Sequence, residues 1–261
     1  MYRASDRYQP GNSPLHSADP RVKVVVTFAL IGGIALTPTH AWPAYPALWT
    51  LVAGLAALAR FGPWRMARLG AVALPFMLAA LPLLFTVPGP ALAIGGGIAI
   101  SQAGLARFVA ILLKSWLSVQ VALLLTMSTS FADLIWALGS LRVPGTLVAL
   151  IAFMVRYGAT LSDEAERLLR ARAARSAKAE GQPAGGTLFW RARVAGGMVG
   201  NLFLRSYERS ERVYAAMVAR GYAGEMRRLT PPSLSWRAAL AGAVPVLWLG
   251  LVELAAVLWW Q

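Results

Sequence analysis

Long apolar stretches separated by shorter polar connections run through most of the chain. A helix needs about 20 mostly apolar residues to cross a bilayer, and five stretches with at most one charged residue each approach or reach that length. The pattern therefore predicts about five transmembrane helices. They run from about Val22 to Leu36, Ala44 to Ala59, Leu69 to Val87, Phe108 to Met127 and Ala238 to Trp260.

Lysine and arginine alternate between the predicted connections, which gives the chain an orientation. The N-terminal arm and the connection with Arg60, Arg65 and Arg68 are basic, whereas residues 37–43 and 88–104 hold no lysine or arginine. Cytoplasmic loops accumulate these two residue types. We therefore place the N-terminus and the large fourth loop in the cytoplasm.

The fourth loop is far longer than an ordinary connection. It divides the chain into an N-terminal arm with four transmembrane helices (1–127), a cytoplasmic helical region (128–235) and a last transmembrane helix (236–261). Among the 261 residues 57% are hydrophobic and 14% charged, and the net charge is +14. So large an apolar fraction with so few charges excludes most soluble domains. The fold class is therefore an all-α polytopic membrane protein of a bacterial inner membrane.

Two amphipathic helices dominate the predicted cytoplasmic region. The apolar run Val143 to Val155 precedes them, and its 13 residues suit a buried or interfacial helix better than a full span. The first amphipathic helix begins near Ser162, because acidic residues crowd its first turn and basic residues follow. The second runs from Leu188 to Ala219, with a candidate interruption around Gly196-Gly197 and Gly200, and ends before Gly221, a natural C′ residue.

Each amphipathic helix closes on an arginine between two small residues. Small neighbours let a partner surface approach the helix backbone, and a guanidinium offers five fixed donors to carboxylates or carbonyls in a groove. An arginine in a last turn can also simply complement the helix dipole. Repetition on two successive helices favours docking. The triplets are Ala174-Arg175-Ser176 and Ala219-Arg220-Gly221.

Catalytic and metal chemistry has few candidates in this sequence. No Gly-Lys-Ser/Thr phosphate loop occurs, and no nucleophile-and-base arrangement indicates an enzyme, so we predict no ATP hydrolysis by this chain. Cysteine is absent and His16 and His40 fall on opposite sides of the predicted membrane, so we predict no metal site and no bound cofactor. The basic residues follow the predicted topology, which argues against a nucleic-acid partner.

At these residues the chain resembles the transmembrane T component of energy-coupling-factor (ECF) transporters, the CbiQ and EcfT family. That family carries two Ala-Arg-Gly-type triplets in a long cytoplasmic region, and Ser176 here replaces the common glycine of the first. The resemblance extends to Asp19-Pro20-Arg21-Val22-Lys23 and to the run from Glu211 to Met217. The sequence from Gly200 to Arg212 is most similar to the cobalt branch of the family, CbiQ.

The resemblance implies a scaffold that transmits ATP-driven motion of two cytoplasmic ATPase subunits to a membrane substrate-binding subunit. Residues 128–235 would be its coupling-helix region, and the two triplets would contact the ATPases. The substrate-binding subunit, similar to CbiM, would bind cobalt, and ATP would be used by the partners. Nickel or a vitamin is an alternative substrate. A stand-alone membrane carrier with Lys114 in its pathway is an alternative from a different class.

Overall fold

The computed structural model describes residues 8–73, 75, 79–88, 90–94, 98–175, 187–224 and 236–259. They fall into two compact units: the membrane unit, residues 8–137 and 236–259, and the hairpin unit, residues 138–175 and 187–224. In chain order the described elements are α1 (Pro14–Ser17), α2 (Pro20–Leu36), α3 (Ala44–Leu58), α4 (Pro63–Leu69), a 3-10 helix (Gly70–Ala73), α5 (Leu83–Thr86), β1 (Ala91–Ile94), β2 (Ile98–Ser101), α6 (Gln102–Ser128), α7 (Phe131–Ser140), α8 (Gly145–Arg175), α9 (Leu188–Ala219) and α10 (Trp236–Trp259).

Helices α2, α3, α6 and α10 pack together in the membrane unit. Their shared core contains Leu30 of α2, Leu48 of α3 and Leu117 of α6, all nearly inaccessible, and Leu249 of α10. Other large apolar side chains point away from this core, such as Phe28, which is 67% exposed. A helix that is apolar on its inner and outer faces is typical of a protein whose solvent is lipid.

Three described helices are long and apolar enough to cross a membrane: Gln102–Ser128, Gly145–Arg175 and Ala238–Leu258. A fourth is obtained when α3 and the segment after it count as one broken span. Helix α2 has 17 residues and lies at the short end of the spanning range. The prediction of an all-α polytopic membrane protein is confirmed. Trp260, the predicted end of the last span, lies outside the described residues.

The second predicted span continues into a sharp bend. The segment Pro63–Val72 is inclined by 115° to α3 (Ala44–Leu58). Arg60, between the two helices, has a φ of 59°, in the left-handed region that breaks a right-handed helix. Pro63 then occupies the first turn of α4, where a missing N–H costs nothing. The bend therefore comes from backbone chemistry that hydrophobicity alone does not register.

The third predicted span, Leu69 to Val87, is wrong as a single helix. Its described residues comprise the end of α4, a 3-10 helix, the helical residues 75, 79 and 80, and the four-residue α5. Leu81 and Pro82 form a turn between helical residues. Proline cannot donate the backbone hydrogen bond that a continuing helix requires, and Pro82 accordingly lies at the N-cap of α5.

Helix α8 differs most from the sequence prediction. It is one continuous helix of 31 residues, so the apolar run Val143 to Val155 and the amphipathic helix placed from Ser162 are not separate elements. No proline interrupts residues 145–175, and extending an existing helix needs no new nucleus. The first half of α8 is apolar and the second half is charged, so the sequence pattern predicts two elements where the structure has one.

Strands β1 and β2 form a small antiparallel pair, with Ala91 opposite Ser101 and Ile94 opposite Ile98. They lie in the connection without basic residues, which the sequence predicts only as a loop. Ser101 then begins α6, because its hydroxyl accepts a hydrogen bond from the backbone N–H of Gly104 at 3.3 Å. The strands are a short addition to a helical fold.

A close approach of α2 and α10 gives a test of the packing. A Cβ atom added at Gly33 would overlap the side chain of Leu249, whereas the space around Gly32 is open. We expect Gly33→Ala to destabilise the membrane unit by about 1–3 kcal/mol, as overpacking does. Gly32→Ala adds the same methyl group without that contact. Thermal unfolding in detergent micelles should give a lower midpoint for Gly33→Ala, and equal midpoints would contradict the packing.

Candidate functional site

The contact between α8 and α9 centres on Glu164. Its carboxylate accepts hydrogen bonds from the guanidinium groups of Arg205 at 3.4 Å and Arg209 at 3.0 Å, and the Glu164 side chain is only 9% exposed. Arg205 and Arg209 lie four residues apart on α9, so both reach one carboxylate from the same helix face. We call these three residues the hairpin triad. It is the electrostatic link between the two long helices.

Ionisation of Glu164 is favoured by the triad. Burial by itself raises the pKa of this carboxyl group, but the hydrogen bonds and charges of Arg205 and Arg209 outweigh burial, so the pKa of Glu164 lies below its ordinary value. Two further ion pairs among the described residues of the hairpin unit differ in kind. Glu166–Arg170 and Glu208–Arg212 are exposed pairs within one helix, and such pairs contribute little to stability.

An apolar groove of about 630 Å³ runs along α8 and α9 beside the triad. The rings of Phe153 and Tyr157 stack within it, with centroids 5.9 Å apart. Met154 and Tyr214 are 67% and 63% exposed although they line the groove. Exposed apolar surface of this extent marks a site of contact with a protein or with lipid. The other lining residues are Leu150, Leu161, Ser206, Arg209, Ser210, Glu211, Val213 and Met217.

Helix α9 matches the range predicted from the sequence. It starts at the N-cap Thr187, whose hydroxyl accepts from the backbone N–H of Trp190. It ends with Gly221 at a φ of 83°, where the N–H of Gly221 donates to Val218 O at 2.9 Å and that of Tyr222 to Met217 O at 3.0 Å. These two bonds define a Schellman motif with glycine at C′. Arg220 therefore sits at the cap of a 32-residue helix.

The two triplets lie at the exposed ends of their helices. Arg175 is the last residue of α8, and Ala174, Arg175, Ala219, Arg220 and Gly221 are all exposed. Ser176 lies outside the described residues. Within the part of the chain that the structure describes, the side chains of Arg175 and Arg220 form no hydrogen bond or ion pair. Their guanidinium groups are available to a partner.

Both triplet arginines lie at the same distance from the triad along their helices. Arg175 follows Glu164 by eleven residues, and Arg220 follows Arg209 by eleven residues. At 1.5 Å per residue each separation is about 16 Å of helix. No group of three or more His, Cys, Asp or Glu side chains that could hold a metal ion occurs among the described residues. The hairpin unit therefore offers a binding surface built on one buried electrostatic contact.

An apolar helical membrane unit and a charged hairpin with exposed arginines define a multi-pass membrane protein. The family model described as CbiQ, cobalt transport protein, matches residues 11–232. The chain belongs to this family, the CbiQ and EcfT family of transmembrane components of ECF transporters, as its sequence predicts. Members of this family are membrane components of transporters and are not catalytic subunits.

Curated relatives agree over nearly the whole chain. The energy-coupling factor transporter transmembrane protein EcfT of Listeria innocua is 29% identical over 97% of this chain and 96% of its own length. The EcfT protein of Lacticaseibacillus paracasei is 31% identical over 84% of each chain. That of Brevibacillus brevis is 27% identical over 99% of this chain and 98% of its own.

Sequence reasoning found the triplets but missed the hairpin triad. It assigned the acidic residues near Ser162 to the first turn of a helix, where they would complement the helix dipole. In the structure they lie inside α8, and Glu164 instead faces α9. A signal was present, because Arg205 and Arg209 place like charges one turn apart on α9. Two neighbouring positive charges of this kind indicate that a carboxylate from another element lies between them.

Replacing the triad carboxylate should loosen the hairpin unit. Glu164→Gln removes the charge that both arginines share and leaves two guanidiniums facing a neutral amide, so we expect faster hydrogen–deuterium exchange in α8 and α9 around the contact. Glu166→Gln is the matched control, because Glu166 forms only an exposed pair within α8. Equal exchange in the two variants would show that the triad does not hold the helices together.

Acidification should have the same effect on the wild-type chain. A carboxyl group whose pKa is lowered by folding stabilises the folded state above its unfolded pKa, about 4.3 for Glu, and loses that contribution as the pH falls through the lower folded pKa. Protection against exchange in α8 and α9, measured relative to the intrinsic exchange rate at each pH, should therefore fall below about pH 4.3. Glu164→Gln should lack this step, and an identical pH profile in the variant would assign the step to other groups.

Proposed function

We propose that this chain is the scaffold and coupling subunit of an ECF importer, in which Arg175 and Arg220 each seat in a groove of one cytoplasmic ATPase. The observation that carries the proposal is a pair of exposed arginines at the ends of two helices joined by a buried ion contact. Neither arginine has a partner among the described residues. Family membership supports it, because the relatives are named as transmembrane proteins of energy-coupling factor transporters.

Small neighbours make each arginine suitable for docking. Ala174 and Ala219 add no bulk beside the guanidinium, and Gly221 lets the chain turn away immediately after Arg220. A partner groove lined by carboxylates or carbonyl oxygens can then bind the planar guanidinium with two parallel hydrogen bonds. When the two ATPases close on ATP, the seated helix ends move with them.

The hairpin triad supplies the mechanical link in this proposal. Glu164 joins α8 to α9 at equal helix lengths from the two docking arginines, so movement of either end is transmitted to the other helix. The apolar groove beside the triad fits the apolar surface of a membrane substrate-binding subunit, similar to CbiM. ATP-driven motion of the hairpin would tilt that subunit as a rigid body.

The topology belongs to the same proposal. The N-terminus and residues 128–235 lie on the cytoplasmic side of a bacterial inner membrane, residues 1–127 carry the first transmembrane helices, and residues 236–261 form the last one. The apolar first half of α8, although long enough to count as a span, lies at the membrane interface in this proposal. The alternation of basic connections supports this orientation. Co²⁺ is the proposed substrate, on the strength of the family description as a cobalt transport protein. The ion would be bound by the substrate-binding subunit and not by this chain.

The docking arginines can be tested together. Affinity purification of the tagged chain from its native membranes should recover two ATPase subunits and a membrane subunit, identified by mass spectrometry. Arg175→Ala/Arg220→Ala should lose the ATPases, because truncating an interface arginine of this kind weakens binding by about 2 kcal/mol, roughly 30-fold per site. Transport of Co²⁺ by the purified assembly in liposomes should be lost in parallel.

A matched control separates docking from general charge. Arg170→Ala/Arg212→Ala removes two exposed arginines of the same helices that already pair with Glu166 and Glu208, so the ATPases should remain bound. Recovery of the ATPases with Arg175→Ala/Arg220→Ala would refute the docking roles. Recovery of the wild-type chain alone, with transport in liposomes lacking any ATPase, would favour a stand-alone carrier. Uptake of Ni²⁺ or a vitamin in place of Co²⁺ would revise only the substrate.

A further inference from the structure

A dense polar junction lies where α2 begins and α6 ends. Lys23 of α2 is only 7% exposed, and its ammonium group donates to the backbone carbonyls of His16 at 3.1 Å and Ser128 at 3.2 Å. Ser128 is the last residue of α6, whose final carbonyls have no partner within the helix. Lys23 therefore caps α6 with a positive charge at the negative end of its dipole.

The N-terminal arm completes the same junction. The backbone N–H of Gln9 donates to Met127 O at 3.0 Å, so the arm lies against the last turn of α6. The His16 ring donates from Nε2 to Gln9 O at 2.9 Å and accepts at Nδ1 from the Ser13 hydroxyl at 2.6 Å. These hydrogen bonds fix the backbone beside the two carbonyls that Lys23 binds, those of His16 and Ser128, and so keep the buried ammonium group in place.

Helix α7 is held to α2 by a second basic residue. The guanidinium of Arg21 lies 4.2 Å from the centre of the Trp136 ring, within the range of a cation–π contact. Asp133 fixes the first turn of α7, because its backbone N–H donates to the Ser130 hydroxyl at 3.2 Å and its carboxylate accepts from that hydroxyl at 2.7 Å. Asp133 also interacts electrostatically with Lys23.

Helix α7 is the segment that continues from the membrane unit into the hairpin unit. Its residues 131–137 belong to the first and residues 138–140 to the second, with no break in the helix. We propose that Arg21 and Lys23 form a basal clamp, which fixes α7 to α2 and α6 so that movement of the hairpin helices is passed to the membrane helices. Arg21 and Lys23 are thus positioning residues for transport. This inference rests on the coupling function proposed above.

Lys114 provides a matched control for the basal clamp. Lys114 of α6 also donates its ammonium group to a backbone carbonyl of α2, that of Ala35 at 3.0 Å, but it does so near the opposite end of α2. Lys23→Met and Lys114→Met therefore remove the same kind of bond from the same pair of helices. If both lysines only stabilise the membrane unit, the two variants should behave alike.

The test uses the full chain assembled with its ATPases and membrane subunit in liposomes. The chain has no cysteine, so spin labels at Phe28→Cys on α2 and Ala132→Cys on α7, both exposed, report one distance. We expect one narrow distance in the otherwise wild-type chain and in Lys114→Met, and a broad distribution in Lys23→Met. Co²⁺ taken up per ATP hydrolysed should fall roughly tenfold in Lys23→Met alone, at the low end for a lost hydrogen bond to a charged group.

Each outcome bears on one claim. Lys23→Met with retained ATPases, a narrow distance and normal uptake per ATP would overturn the clamp, as would equal uncoupling by Lys114→Met. Failure of the wild-type chain to retain ATPases would instead refute the coupling function, and absence of Co²⁺ uptake would refute the substrate while the label distances still decide the clamp. Should Lys23→Met not assemble, Arg21→Gln, which removes only the Trp136 contact, must broaden the distance for the clamp to stand.

Discussion

Polar contacts at the helix ends determine how the membrane unit is joined, because apolar helix faces gain little by leaving lipid for one another. Both ends of α2 are fastened in this way. At its start Lys23 binds the final carbonyl of α6, and near its end Lys114 of α6 donates to Ala35 O. The Thr37 hydroxyl just beyond α2 donates to Glu253 of α10 at 2.6 Å. Unpaired, these groups would be expensive at membrane depth, so each contact selects one arrangement of the helices.

The hairpin unit is held together on a different principle. Helix α9 has no buried residue among its 32, so little apolar packing supports it. Its attachment to α8 depends on Glu164 and on the half-covered side chains of the groove. A helix pair of this kind keeps large apolar groups accessible, and these become buried only when other subunits cover them. The same feature that makes the hairpin weakly packed in isolation thus agrees with the proposed transmission of motion between partners.

Much of this architecture could be predicted from local sequence. Helix α9 and its Gly221 terminus follow from amphipathic spacing and from the one residue type that accepts a φ of 83° without strain. The long helices α6 and α10 follow from apolar length. Local patterns failed where distant residues decide the outcome. Glu164 looks like a first-turn acid until Arg205 and Arg209 arrive from another helix, and the bend at Arg60 depends on backbone geometry that hydrophobicity does not encode.

The connection from α7 to α8 shows why a clamp at the base of α7 can influence the hairpin. Only four residues separate the two helices, and Arg142 among them holds a φ of 66°. The bond from the Val143 N–H to Leu138 O at 3.3 Å closes the turn around Arg142, and the bond from the Leu147 N–H to Pro144 O at 3.0 Å then begins α8. In the proposed coupling, displacement of α8 reaches the end of α7 through this short turn, and a helix anchored by Arg21 and Lys23 passes it onward to α2 and α6 or breaks those contacts.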